Sequence, residues 1–332
     1  MSRLNELRLI ARVAQMYHIE GARQADIAKH LRISQATVSR ILKKAVDEEI
    51  VRTTVVAPSG TYAELETAIR DRFGVSEAIV VECSEDRDGA IMARIGEAAA
   101  HFLEATLQPG EIIGVSSWSE TILRMVDNIH PMKGGRAKHI VQTLGGMGDP
   151  TVQIHANQLT TRLARLTGAE AHLLSAPGVA QSREAKLVLL GDPYVRETMD
   201  LFGKITLAIV GIGAVEPSSM LARSGNVFSS RELADIAEAG GVGDISLRFF
   251  DADGALVKTP LDDRVIGMPL ESLRGVDRVM ALAGGQSKTK AIEGALRTGV
   301  IDLLITDKFT AARLVPDAAQ NDPEGGLQRE PV

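Results

Sequence analysis

Residues 279–305 read Val279-Met280-Ala281-Leu282-Ala283-Gly284-Gly285-Gln286-Ser287-Lys288, continue through a helical stretch over 290–298 that includes Ala291, Ile292, Ala295 and Leu296, and reach Leu303-Leu304-Ile305. A short apolar run, a Gly-Gly loop, a helix and a second apolar run spell strand, turn, helix, strand. Runs apolar along their whole length belong to strands covered on both faces, as in parallel sheets whose crossovers are helices.

The same alternation extends back through most of the chain. Apolar runs occupy 78–81, 112–115, 139–142, 171–174 and 207–210, and helical stretches occupy 87–107, 120–129 and 151–167. The expected class is α/β, with a mainly parallel sheet whose ligands sit at the C-terminal strand edge. Residues 243–254 break the rhythm and read as a strand entering an antiparallel hairpin, with Asp253-Gly254 as its turn. A tail from 316 to 332, rich in Pro, Asp, Gly and Gln, is expected to be disordered.

Composition agrees with this reading. The chain has 332 residues, 45% hydrophobic but only 3% aromatic, with 31 Gly. That length suits about two domains of roughly 100–200 residues each. A disordered or collagen-like chain is excluded. A single cysteine, Cys83, excludes a disulfide framework and any CxxC metal site. With no signal-like N-terminus and no apolar stretch of membrane-spanning length, a soluble cytoplasmic protein is expected.

The net charge of −6 conceals a division: residues 1–60 carry +4 and the remainder −10. The basic part has helix patterns over 4–18, 23–30 and 35–48, a tight turn Arg32-Ile33-Ser34, and an apolar run from Ile50 to Val56 that reads as the strand of a wing. Two short helices joined by a three-residue turn form a helix-turn-helix, which lays the start of its second helix in the DNA major groove. Ser34 serves as the N-cap of that helix. Gln35 and Thr37 are placed for base edges, while Ser39, Arg40, Lys43 and Lys44 lie farther along, where cations meet phosphates. The competing reading is a three-helix bundle used only for packing.

In the body, Gly-rich loops follow several strands: Gly114 to Thr121, Leu144-Gly145-Gly146-Met147-Gly148, Gly211-Ile212-Gly213-Ala214, and Ala283 to Lys288. Glycine lets backbone amides approach an anion, and a helix N-terminus behind the loop adds its positive dipole end. Hydroxyls of Ser116, Ser117, Ser119 and Thr121 and the charge of Lys288 add donors. Asp244 and Asp307 stand at strand boundaries, able to accept from sugar hydroxyls or to act as caps; Trp118 is a core anchor or a pocket wall. Neither the GxxxxGK[ST] loop nor a full GxGxxG is present, which disfavours nucleotide hydrolysis and dinucleotide redox. The seven histidines show no metal-ligand spacing, with His139 and His155 read as structural or near-pocket and His101 as a helix residue. No metal and no cofactor are expected, and no nucleophile-base-acid set can be assembled.

The order of these elements resembles the SorC-type (SorC/DeoR-like) family of bacterial sugar-binding transcriptional regulators from about Arg8 to Val315. The resemblance rests on Gln35-Ala36-Thr37-Val38-Ser39-Arg40, Gly114 to Thr121, Gly211-Ile212-Gly213, Gly241 to Gly254, Asp262 to Gly267, Ala283 to Lys288 and Ile305-Thr306-Asp307. It implies a winged helix-turn-helix over 1–57, a linker helix over 58–74, and over 75–315 an effector and oligomerisation domain folded like ribose phosphate isomerase and glucosamine phosphate deaminase. The family's effector is a phosphorylated sugar or related metabolite. Carried over, Ser117, Ser119 and Thr121 serve one phosphate loop, with Trp118 among the effector-binding residues, Gly145 and Gly146 serve a second, and Lys288 supplies charge. Asp244 faces sugar hydroxyls, with Gly213, Gly285 and Asp307 beside the ligand. Ser116 and Ser117 depart from the Gly-x-Gly of many relatives. The implied protein is not an enzyme; it binds double-stranded operator DNA and a phosphorylated sugar or polyol, self-associates to a dimer or tetramer, and controls carbohydrate or polyol catabolism without contacting membranes. The rival is a sugar-phosphate isomerase or deaminase with an appended DNA module.

Overall fold

The structure, a computed structural model, describes residues 3–51, 60–116, 118–132, 134–146, 150–215 and 230–319. By its internal contacts the chain divides into two units, Met1–Ala57 and Pro58–Val332.

In the first unit, α1 (Arg3–His18), α2 (Gln24–Leu31) and α3 (Gln35–Asp47) close around Val13, Met16, Ile27, Ala28, Val38 and Leu42. Arg32 adopts left-handed backbone (φ 55°) to end α2, and the Ile33 amide returns to the Ala28 carbonyl at 3.0 Å. Ser34 then starts α3 as expected, its Oγ accepting from the Thr37 amide at 3.1 Å. The wing strand is not supported where it can be seen. Ile50 and Val51 form a bend, Val51 packing on Ile10, Ala14 and Ala45 because the chain turns back onto α3; residues 52–56 lie outside the described residues.

The second unit opens with α4 (Ala63–Phe73), which stops at Gly74. Its main sheet has seven strands: β1 (Glu77–Val81), β2 (Glu111–Val115), β3 (Ala137–Gln142), β4 (Glu170–His172), β5 (Leu207–Gly211), β9 (Arg278–Leu282) and β10 (Leu303–Asp307). They lie in the order β1-β10-β9-β5-β2-β3-β4, and every pairing is parallel. Each of the seven apolar runs falls on one of these strands, the run 171–174 only in part, since β4 ends at His172. Their alternate residues enter two cores: Leu207, Ile209, Met280 and Leu282 face one, Ala208, Val210, Val279 and Ala281 the other. Helices α5 (Asp88–Thr106), α6 (Glu120–Asn128) and α7 (Pro150–Thr167) cover the first face. Helices α4, α12 (Thr289–Arg297) and α13 (Lys308–Leu314) cover the second, together with α8 (Arg183–Leu190), α9 (Pro193–Met199) and the single turn α11 (Leu270–Leu273). This double coverage is why the strands read as unbroken apolar runs.

A smaller antiparallel sheet joins β6 (Gly213–Ala214), β7 (Gly241–Ile245) and β8 (Arg248–Asp251), with α10 (Ser230–Glu238) leading into β7. The β7–β8 turn is Ser246-Leu247, not Asp253-Gly254. Both turn residues are left-handed (φ 53° and 62°), the backbone a two-residue hairpin of primed type needs. Asp244 Oδ2 holds this turn by accepting from the Leu247 amide at 2.8 Å, and the Leu247 side chain is buried. Asp253-Gly254 makes a second reversal that returns Leu256 to pair with Phe250. The tail also departs from expectation at its start. Pro316–Ala319 forms α14, its alanines Ala318 and Ala319 packed on the core; residues 320–332 lie outside the described residues. No helix among the described residues is long and apolar enough to cross a membrane.

Helices α5 and α6 meet at Gly96, where a Cβ would lie 2.6 Å from Arg124 Cβ and 2.8 Å from the Arg124 carbonyl carbon. Gly96→Ala gains up to ~1 kcal/mol of helix propensity but overpacks a contact, at a cost of roughly 1–3 kcal/mol. The variant is therefore expected to unfold at lower urea concentration than wild type; an unchanged or higher midpoint would show that the helices can separate freely.

Candidate functional site

A cleft of about 820 Å³ opens where β2, β5 and β9 end and the small sheet begins. Three helices begin at its wall. Asp88 is the first residue of α5, Ser119 and Glu120 start α6, and Ser287, Lys288 and Lys290 bracket the start of α12. Each helix start brings the positive end of its dipole to the cleft, which favours bound anionic oxygens. Ser119 Oγ already accepts from the Ile122 amide at 3.4 Å as the N-cap of α6.

The opposite wall is the β6–β7 corner. Asp244 is buried there, and a Cβ on Gly213 would lie 2.1 Å from its Oδ1, so only glycine seats this carboxylate. Burial pushes the Asp244 carboxyl up to about 6, opposed by the Leu247 amide hydrogen bond and by the charge of Lys288. Burial likewise lowers the half-buried Lys288 ammonium from its ordinary value, opposed by Asp244, Asp88 and Glu120. The cleft thus presents a partly desolvated cation, Lys288, ringed by carboxylates, with the exposed Lys290 also on its lining: cations for an anionic group, and acceptors for hydroxyls.

Of the effector residues expected from sequence, Trp118, Ser119, Thr121, Gly213, Asp244 and Lys288 line this cleft. Trp118 is both wall and anchor: it packs against the Leu144–Leu247–Phe249 cluster while its Nε1 donates to the Gly145 carbonyl at 3.1 Å. Ser117 lies outside the described residues.

Gly145, Gly146, Gly285 and Asp307, also expected at the effector, are not among the described lining residues. Gly145 is small because the 176–177 backbone crosses it, a Cβ there falling 2.6 Å from the Ala176 carbonyl oxygen. Gly146 is spent on bridging to Pro177. Asp307 is fully buried and caps α13, with Oδ1 accepting from the Phe309 and Thr310 amides at 2.9 and 3.0 Å and Oδ2 from Thr310 Oγ1 at 2.5 Å. The Gly285 amide donates to Thr310 Oγ1 at 2.8 Å, so this amide is engaged by the α13 cap.

Sequence reasoning missed Asp88, Glu120, Ser246 and Leu247 as lining residues. Asp88 and Glu120 begin helices that follow β1 and β2, a signal that was available. Ser246 and Leu247 arrive through a hairpin whose turn carries no glycine. His101 is an exposed residue of α5; His139 does not line the cleft and instead meets His172; the His155 side chain lies outside the described ones.

In the first unit, Gln35, Ser39 and Lys43 are exposed at four-residue spacing along α3, and Arg40 is exposed beside them. Ser34 and the half-buried Thr37 are engaged with each other, their hydroxyl oxygens 2.8 Å apart, and Arg40 Nη2 donates to Thr37 Oγ1 at 3.4 Å. Lys44, expected to face phosphate, pairs its Nζ with Glu6 Oε1 of α1 at 2.5 Å. That bond holds the Glu6 carboxyl below its ordinary value.

Residues 58–316 match the family described as "Putative sugar-binding domain". The deoxyribonucleoside regulator of Bacillus subtilis (strain 168) is 30% identical over 304 residues, covering 92% of this chain and 96% of that protein. The solved full-length sorbitol operon regulator SorC from Klebsiella pneumoniae is 28% identical with a TM-score of 0.72, covering 93% of this chain and 98% of that one. The solved sugar-binding domain of transcriptional regulator DeoR from Pseudomonas syringae pv. tomato is 41% identical with a TM-score of 0.62, covering 77% of this chain and all 100% of that one.

The raised carboxyl of Asp244 fixes the sign of a pH effect. Its folded value of about 6 exceeds its ordinary 3.8, so the stability it contributes is full below pH 3.8 and is lost as pH rises through about 6. Asp244→Asn is expected to remove this loss: the stability difference between variant and wild type should move in favour of the variant between pH 4 and about 7. Urea unfolding across that range measures it, and a difference independent of pH would show that Asp244 is not destabilised as a carboxylate.

Proposed function

The chain belongs to the SorC/DeoR-like sugar-binding transcriptional regulators, and from that premise we propose that it is a DNA-binding regulator of carbohydrate or polyol catabolism whose operator affinity is set by a phosphorylated sugar or polyol in the cleft. The observation that carries the effector class is the convergence of three helix N-termini and Lys288 on one wall, with Asp244 on the other. Helix ends and the ammonium suit phosphate oxygens; Asp244, Asp88 and Glu120 suit hydroxyls. In the first unit, Gln35 and Thr37 read base edges, and Ser39, Arg40 and Lys43 meet backbone phosphates. On this reading residues 1–57 form the DNA module and 75–315 the sensor. The protein acts in the cytoplasm as a dimer or tetramer, and without catalysis.

An effector shifts DNA affinity only by binding one state better than the other, and roughly 1–3 kcal/mol of coupling is ordinary. A thermal-shift screen of free and phosphorylated sugars and polyols identifies the occupant, with phosphorylated compounds expected to raise the midpoint. Lys288→Ala is expected to lose that shift and the ligand's effect on operator binding while keeping ligand-free operator affinity. An unaltered shift in the variant, or turnover of a sugar phosphate by the purified protein, would overturn the reading.

For DNA, Gln35→Ala is expected to cost about 1–3 kcal/mol on the operator and to relax base preference. Arg40→Ala should weaken operator and random DNA alike and reduce the slope of log K against log salt by about one. Fluorescence anisotropy at several salt concentrations reads both; wild-type slopes and preferences in both variants would reject α3 as the recognition helix.

A further inference from the structure

At the edge of the main sheet, remote in role from the cleft, strands β3 and β4 bring two histidines and a glutamate to one point. Their parallel register pairs His139 with Glu170 and Val141 with His172, so Glu170 and His172, two apart on β4, flank His139 on a single face. His139 Nδ1 lies 2.9 Å from His172 Nε2 and 3.5 Å from Glu170 Oε2, and His172 Nε2 lies 3.7 Å from the same Oε2. The three distances thus form a triangle of one donor atom from each residue. The imidazoles are mostly buried, while the carboxylate is 70% exposed.

We propose that His139, Glu170 and His172 form a binding site for a divalent transition-metal ion, with zinc the best match. Zinc bound by imidazole nitrogen and carboxylate oxygen at roughly 2.0–2.2 Å in a tetrahedron sets its ligand atoms about 3.3–3.5 Å apart. The observed edges bracket that value, so rotation of the exposed Glu170 and a small parting of the two rings complete the triangle. Two imidazoles and one carboxylate are also a donor set that suits zinc and its first-row neighbours, whereas magnesium and calcium prefer oxygen ligands. The fourth position stays open to water. A simple hydrogen bond between the two rings accounts for the 2.9 Å contact but assigns no role to Glu170.

Such an ion ties the three-residue edge strand β4 to β3. Nothing in local sequence spacing announces it, because the ligands come from strands separated by helix α7.

The test uses the full chain, stripped with chelator and titrated with zinc chloride by calorimetry, with cobalt chloride as a spectroscopic probe of tetrahedral coordination. Wild type is expected to bind one zinc per chain, to give the intense visible absorption of tetrahedral cobalt, and to gain thermal stability with zinc but not with magnesium. Glu170→Ala, on an exposed side chain, is expected to keep the fold and weaken zinc at least ~10-fold, since even outer-shell partners are worth that much. His139→Ala with His172→Ala should abolish the cobalt signal. Absence of binding by wild type, or equal zinc affinity in wild type and Glu170→Ala, would overturn the proposal; the second result stands whether or not the double-histidine variant folds.

Discussion

Everything in the second unit depends on one constraint: a parallel sheet cannot leave a face in water, because each crossover must lay a helix on it. Seven parallel strands therefore require helices on both sides, and the two cores that receive alternate residues of β5, β9 and β10 meet that demand. Parallel strands also end together. Chains leaving β1, β2 and β9 at the same edge turn into α5, α6 and α12, so three helix N-termini arrive at one place as a consequence of topology. The cleft lies where those helices begin.

Positioning within that cleft rests on polar groups that serve the protein first. Asp307 is not among the described lining residues, yet its carboxylate caps α13 and, with Thr310, fixes the Gly285 amide three residues before Lys288. Removing it would leave buried amides unpaired, at roughly 1–3 kcal/mol for each group left unsatisfied, and would release the loop that carries the cation. Asp244 acts similarly on the other wall. It stabilises the left-handed Ser246-Leu247 turn through the Leu247 amide while its second oxygen occupies the space Gly213 leaves open. The folding role and the site role are joined in one side chain, and its raised carboxyl is the electrostatic cost of that burial.

Much of this was legible in the sequence because burial on both faces leaves a plain mark. The runs 78–81, 112–115, 139–142, 207–210, 279–282 and 303–305 lie within strands, 171–174 overlaps β4 at 171–172, and Ser34 is the cap. What failed did so for identifiable reasons. Glycines 145, 146 and 285 sit in loops like those that cradle anions, but the absent Cβ at 145 makes way for protein backbone, and a one-dimensional pattern does not say what approaches a glycine. Asp253-Gly254 is the stronger local turn signal, yet the hairpin closes at Ser246-Leu247, where the hydrogen bond from the Leu247 amide to Asp244 and burial of Leu247 outweigh the local preference against φ > 0. Lys44 is indistinguishable from Lys43 in a list of basic residues; only the approach of α1 and its Glu6 separates them. His139, Glu170 and His172 meet through sheet register, which no spacing rule spans.

The division of charge gains meaning from these contacts. Although the second unit is strongly acidic overall, its cleft places Lys288 among Asp88, Glu120 and Asp244, so the cation is neither exposed nor neutralised by a single close partner. An ammonium so placed is held in a partly desolvated setting where it interacts strongly with an incoming anion, while the surrounding carboxylates repel an anion that does not bring its negative charge to that one point. A ligand carrying a compact anionic group at one end and hydroxyl donors along the rest satisfies both demands; a dispersed polyanion satisfies only the first. Selectivity on the proposed reading therefore arises as much from what Asp88, Glu120 and Asp244 exclude as from what Lys288 attracts.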